Sequence, residues 1–238
     1  MAPVEQAAHA CRLPVMDACG CDDFASIFDR RTAEHDRDRY RRKGPDRTTR
    51  MLLDMIRPYR VRGSTVLDVG GGIGVIDSEL LRAGAGHAVL VDASAAYLDV
   101  ARQEARQANL LERIEFVHGD FVRRATEIDA ADIVTLDRVV CCYPDADALV
   151  GSSAARARRV YGLVLPRDRW LVRVAIRILN LGSQIRRRAY RAYAHTNSRI
   201  DQLVAAEGLR PRSERATFFW RVVVYDRATG GGAEGSTA

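Results

Sequence analysis

The sequence predicts an α/β domain in which a mostly parallel sheet carries helices on both faces. Three observations predict it. Between residues 64 and 166, short apolar strands alternate with helical segments, the pattern of strand–helix–strand crossovers. A glycine-rich turn, GGGIG at 70–74, joins the first of those strands to the first of those helices. Carboxylates stand at the ends of later strands, at Asp92, Asp120 and Asp137, where open parallel sheets bind ligands.

Length and composition allow this fold and exclude others. The 238 residues suit one large domain, and a hydrophobic fraction of 47% is ordinary for a globular chain. The net charge of +6 comes almost entirely from arginine, because Lys43 is the only lysine. That balance favours acidic or phosphate-bearing partners without selecting one. No run of 18 apolar residues predicts a spanning helix, and MAPVEQAAHACRLPV lacks the basic and apolar regions of a secretory signal. Five irregularly spaced cysteines do not make a disulfide framework, so a soluble cytoplasmic protein is expected.

The elements follow in order. Residues 1–20 are small and polar and read as a flexible N-terminus; 227–238, rich in glycine, read as a flexible tail. The domain therefore spans 21–226. An acidic start and the absence of Gly and Pro predict a helix over 22–43, broken by Gly44 and Pro45. A second helix over 46–56 turns Met51, Leu52, Met55 and Ile56 to one side, and together the two form an N-terminal cap over 22–57. The core, 64–166, alternates strands at 64–69, 87–92, 113–120, 131–137 and 161–166 with helices at 75–84, 94–108 and 145–160. An inserted basic helical segment is expected over 167–195. Thr196, Asn197 and Ser198 can cap a last helix through 206, and 209–219 with 220–226 read as an antiparallel strand pair.

The strongest functional signal is VLDVGGGIGVID. Gly70, Gly72 and Gly74 lie in a strand-to-helix turn, where missing side chains let a ligand approach the backbone. Asp68 stands two residues before the first glycine, within the strand end. The spacing is G-x-G-x-G, not the G-x-G-x-x-G that cradles a pyrophosphate. Asp92 ends the second strand, where a carboxylate can accept from both hydroxyls of a ribose. Asp120, in HGDF, ends the third.

These residues resemble the class I S-adenosylmethionine-dependent methyltransferases, over roughly residues 60–166. The resemblance implies a Rossmann-like, seven-stranded, mostly parallel sheet with the last strand antiparallel, which agrees with the terminal strand pair. It implies S-adenosylmethionine as cofactor, the glycine loop against its methionine part, Asp92 on the ribose and Asp120 near the adenine. Asp68, Ala93, Phe121 and Asp137 complete the expected cofactor site. A sulfonium cation without phosphates tolerates a carboxylate-rich pocket that would repel a dinucleotide. By layout the chain is also similar to the branch that esterifies a propionate of magnesium protoporphyrin. Its GGGIG, however, lacks the cysteine or threonine common there.

The fourth strand exits through RVVCCYPD, and in the resembled family this loop borders the transferring methyl. Asp137, Tyr143 and His35 are the candidate groups for shaping or deprotonating an acceptor, with His195 beside them. The adjacent Cys141 and Cys142 are poorly disposed for a disulfide and lack C-x-x-C metal spacing, so no metal is expected and small pocket-lining residues are the favoured reading. With Cys11, Cys19 or Cys21 they leave open a thiophilic, metalloid-directed enzyme.

In 167–195, Trp170, Leu171, Val174, Ile178 and Leu179 recur at helical spacing, with Arg173 and Arg177 on another face. Such a helix can roof the pocket, pack on the sheet, or touch a membrane surface. An apolar roof with arginines suits an acidic, partly hydrophobic small molecule. The expected activity is therefore methyl transfer to a small molecule, most simply on oxygen. A nucleic-acid methyltransferase and a non-catalytic cofactor-binding regulator remain alternatives. The Asn/Asp-Pro-Pro-aromatic tetrapeptide of amino-directed enzymes is replaced by CCYP, and no aromatic-basic nucleic-acid platform is visible. A nicotinamide oxidoreductase lacks its glycine spacing and its catalytic Tyr/Lys or His pair.

Overall fold

In the computed structural model, residues 28–185 and 191–227 are described. Two helices lead, α1 (Arg30–Lys43) and α2 (Arg47–Ile56). Then come β1 (Thr65–Val69), α3 (Val75–Arg82), β2 (His87–Asp92), α4 (Ala95–Gln107), β3 (Ile114–His118) and the single-turn α5 (Phe121–Arg124). They are followed by β4 (Ala131–Asp137), α6 (Ala146–Ala155), β5 (Ala157–Pro166) and α7 (Trp170–Ile185). The chain closes with α8 (Asn197–Ala206), β6 (Leu209–Ala216) and β7 (Trp220–Arg227).

The seven strands lie in the order β3-β2-β1-β4-β5-β7-β6. Neighbours from β3 to β5 run parallel, and β7 pairs antiparallel with both β5 and β6. This is the Rossmann-like sheet the sequence implied. Strand alternation divides the core between two faces. On one, Leu67, Val91, Val134 and Leu136 pack under Leu149 of α6 and Ile200 and Val204 of α8. On the other, Val66, Leu90 and Ile133 meet Leu52 and Ile56 of α2, Leu80 of α3 and Leu98 of α4. Each such buried aliphatic contributes about 1.5–3 kcal/mol. The strand order reverses between β1 and β4, and the crevice at their carboxyl ends is where such sheets take ligands.

Several boundaries differ from expectation. The strand expected over 113–120 ends at His118, so Asp120 lies two residues beyond it, as the cap of α5. The first helix starts at Arg30, capped by Asp29, whose side chain accepts the Thr32 N–H at 2.8 Å. Of the expected 22–43, residues 22–27 lie outside the described residues. The helix expected over 145–160 ends at Ala155, and β5 begins at Ala157, four residues before its expected start. ARARRV has no Gly or Pro to announce the break, but Ala157 pairs with Ala131 and Val160 with Ile133 of β4, across a shift of register, and both are buried. Among the described residues, the basic segment is helical over Trp170–Ile185. Past residues 186–190, which lie outside the described residues, the chain doubles back along it: the Asn180 side chain both donates to the Ala192 carbonyl and accepts its N–H, at 2.8 Å each. The expected flexible stretches, 1–20 and 228–238, also lie outside the described residues. Among the described residues, no helix is long and apolar enough to cross a membrane.

Candidate active site

The glycine loop forms the floor of a cavity at the switch point. Gly70, Gly72 and Gly74 have φ of 67°, 58° and 75°, left-handed values that an L side chain resists. At Gly70 a second constraint applies: a Cβ there would stand 2.6 Å from a Val139 methyl, because the exit of β4 crosses close over the loop. The Gly70 N–H donates to the Val91 carbonyl at 2.7 Å, which ties the loop to β2.

Backbone donors hold the strand-end acids. Asp92 accepts from the Gly72 N–H at 2.9 Å and from the Ser94 N–H at 2.8 Å. Burial pushes its carboxyl up, and those two donors pull it back only in part. Asp120 caps α5 by accepting from the Val122 N–H at 2.9 Å, and the Tyr143 hydroxyl donates to it at 3.0 Å. Beneath the loop, Asp68 is buried and accepts from the Thr135 hydroxyl at 2.7 Å. Asp77, on the first turn of α3, is fully buried near it, with no hydrogen bond of ordinary geometry to its carboxyl oxygens. Burial, and for Asp68 the neighbouring Asp77 charge, raises both groups: Asp68 well above the usual range and Asp77 to about 7.

The roof is made by side chains that pair with one another. Thr49 of α2 donates to Asp137 at 2.5 Å. Arg138, itself at φ 64°, bridges Asp137 at 3.0 Å and Asp46 at 2.5 Å. Burial raises the Asp137 carboxyl, with Arg138 and Thr49 opposing; at Asp46 burial is outweighed by Arg138 and the Thr49 N–H, and its carboxyl sits below the usual range. From α1, Asp36 accepts the Tyr97 hydroxyl at 2.8 Å, and Tyr40 donates to Glu79 at 2.8 Å. Burial and Glu79 push the Tyr40 phenol up to about 12.

One cavity of about 490 Å³ gathers Asp68, Gly70, Gly72, Asp92, Ala93, Asp120, Phe121, Asp137 and Tyr143. Gly74 lies just behind it as the residue preceding α3. His35 is not brought in: the α1 face that lines the cavity carries Asp36, Arg39 and Tyr40, and His35 on the same helix is exposed. His195 sits against the Tyr143 carbonyl, its Nε2 at 3.0 Å, and stacks on Tyr193. No residue of α7 lines the cavity, so that helix does not roof it. Its stripe does not pack on the sheet either, since Trp170, Ile178 and Leu179 are exposed and only Val172 and Ile176 are buried.

Cys141 and Cys142 both line the cavity, with sulfurs 3.8 Å apart and no bond between them. The hydrogen bond with Cys142, and then burial, drives the Cys141 thiol up, away from a nucleophilic thiolate. Among the described residues no group of three His, Cys, Asp or Glu could hold a metal; Cys11, Cys19 and Cys21 lie outside them. Residues that the sequence reading missed are Asp36, Arg39 and Tyr40, Asp46, Thr49, Tyr97 and Trp220. The i, i+3, i+4 spacing of the α1 trio was the one signal available for them.

Comparison with known proteins agrees with this geometry. Residues 66–160 match a family described as a methyltransferase domain. A ribosomal protein L11 methyltransferase of Lachnospira eligens is 31% identical over 107 residues, 44% of this chain, and the match spans only a third of that relative's length. Magnesium protoporphyrin IX methyltransferase from Synechocystis PCC 6803, solved with bound S-adenosylhomocysteine, is similar in structure. It has a TM-score of 0.65 and 20% identity, over 85% of this chain and 99% of that one. An O-methyltransferase family protein from Burkholderia thailandensis superposes with TM-score 0.65 and 21% identity, over 87% of this chain and 63% of its own.

Proposed function

We propose that this chain, which carries a methyltransferase domain over residues 66–160, transfers a methyl group from S-adenosylmethionine to oxygen on a small molecule. The observation that carries the reading is the convergence of the glycine loop, Asp92, Asp120 and the exit of β4 on one cavity. The lining fits a cationic cofactor. Six carboxyl groups face it, from Asp36, Asp46, Asp92, Asp120, Asp137 and Asp68, the last raised well above the usual range by burial, against the guanidinium groups of Arg39 and Arg138. A pyrophosphate would be repelled there, whereas a sulfonium is not.

When bound, the cofactor supplies an electrophilic methyl group. The protein's part is placement and exclusion of water. Asp68, Gly70, Gly72, Gly74, Asp92, Ala93, Asp120 and Phe121 form the proposed cofactor side. Asp92, fixed by two backbone donors, keeps lone pairs for hydroxyl donors, and Asp120 is fixed by the Val122 N–H and the Tyr143 hydroxyl. Asp137, held between Thr49 and Arg138, is the proposed group that takes a proton from the acceptor hydroxyl, and Tyr143 shapes the cavity beside it. His35, exposed on α1, has no part in this proposal.

The acceptor that suits the lining is uncharged and partly apolar. Both arginines are already matched, Arg39 by Asp36 at 3.3 Å and Arg138 by Asp137 and Asp46. Among the described residues they leave no unmatched lining cation for the acidic molecule that the arginine count suggested. Titration calorimetry with S-adenosylmethionine and with NADH separates this reading from a dehydrogenase. Heat from the first alone is expected; heat from NADH alone contradicts the proposal.

A further inference from the structure

The largest feature that the cavity leaves unused is the outer face of α7. Trp170, Leu171, Val174, Ile178, Leu181 and Ile185 are all exposed, Trp170 by 72%, Ile178 by 65% and Ile185 by 75%. At about 100° per residue these six fall within an arc roughly 100° wide. Scattered exposed apolar side chains are ordinary; an unbroken stripe along a whole helix is not. Phe218, 67% exposed, adds to this end of the molecule. It occupies the β6–β7 turn beside Phe219, which packs against the buried side of α7 at Val172 and Ile176.

Charge distinguishes the possible occupants. The helix holds no acid, and Arg173 and Arg177 lie along one edge of the stripe. Between residues 166 and 195 the sequence has eight arginines and one acid, Asp168, which pairs with Arg173 at 2.5 Å. A second copy of the chain would bring its own arginines against these. An anionic lipid surface accepts both the apolar stripe and the cations, with tryptophan suited to the headgroup boundary. Sixteen residues span about 24 Å, short of a hydrocarbon core of about 30 Å, so the helix can lie in the interface but not cross it.

We infer that α7 is an interfacial helix that docks the protein on an anionic lipid surface. It follows the carboxyl end of β5 and so sits at the same edge of the sheet as the cavity. The segment behind it is fastened to the cavity wall, where the Tyr193 N–H donates to the Cys141 carbonyl at 2.7 Å. Docking through α7 therefore turns the cavity end of the molecule towards the lipid. None of this depends on the methyl-transfer reading.

The test is co-sedimentation of the full chain with vesicles of phosphatidylcholine alone and of an equimolar mixture with phosphatidylglycerol. Binding to the mixed vesicles only, weakened by salt, is expected. The double variant Ile178→Glu/Ile185→Glu changes only exposed positions; an unchanged melting temperature verifies its fold, and its partitioning is expected to fall by at least about tenfold. Arg169→Glu/Arg177→Glu is expected to lose binding while its melting temperature holds. Three results overturn the inference: no binding to either vesicle, equal binding to both, or a wild-type dimer in the ultracentrifuge that the double variant converts to monomer without any lipid binding.

Discussion

The two walls of the cavity are built by different means. On the floor, backbone N–H groups lead in holding the polar side chains: Gly72 and Ser94 hold Asp92, and Val122 holds Asp120 together with the Tyr143 hydroxyl. On the roof, pairs of side chains dominate, as in Thr49 with Asp137, Arg138 with Asp46, and Tyr97 with Asp36, and of these acids only Asp46 also takes backbone donors, from Thr48 and Thr49. A floor of this kind is a consequence of the fold and stays fixed as long as the strand ends do. A roof of paired side chains can change its partners without disturbing the sheet. Holding a cofactor suits the first, and the choice of acceptor suits the second.

Breaking the floor is expected to cost most. Gly70→Ala combines a left-handed backbone with a Cβ 2.6 Å from Val139, which together should remove roughly 2–4 kcal/mol from the free energy of unfolding in urea. Adding Val139→Ala should restore the steric part but not the backbone part. Unchanged stability in Gly70→Ala would mean that the loop is not held where β4 crosses it.

The buried acids under the floor sharpen the contrast through pH. A carboxyl raised in the folded state contributes stability below its unfolded value of 3.8 that is lost as pH rises through its folded value, about 7 for Asp77. Thermal melts of wild type should therefore decline over that window. Asp77→Asn should flatten the decline, with a higher melting temperature than wild type at about pH 8 and little difference at about pH 4. Parallel curves for the two proteins would show that Asp77 carries no such linkage.

The roof should give the smallest effect on cofactor binding. Thr49→Val removes one donor to Asp137 and is expected to cost about 1–2 kcal/mol of stability. Its affinity for S-adenosylhomocysteine should stay within about twofold of wild type. A loss as large as that of a floor variant would erase the distinction between the walls.

The same distinction explains what could be read from the sequence. VLDVGGGIG, the acid closing β2 and the acid just past β3 are local patterns, because strand periodicity and glycine spacing place them without knowledge of distant residues. The roof pairs join positions far apart in the chain, 88 residues for Thr49 and Asp137 and 61 for Tyr97 and Asp36, and nothing local announces them. His35 shows the limit of choosing a residue by chemical type: one position along α1, Asp36 faces the cavity and His35 faces solvent. On α7 the apolar period was visible, but whether that face met the sheet, the cavity or water depended on where Asn180 and Ala192 fold the chain back. The two cysteines that draw the eye in RVVCCYPD turn out to be lining, with Cys141 kept protonated.

The central claim is that the floor holds S-adenosylmethionine through Asp92. It is tested most directly by calorimetric titration of S-adenosylhomocysteine into wild type and Asp92→Ala. Loss of a charged acceptor should weaken binding by about 1.5–3 kcal/mol, roughly 10- to 150-fold, in a variant that still melts cooperatively. Equal affinity in the two proteins would contradict the account, leaving Asp92 as a brace for Gly72 and Ser94 and nothing more.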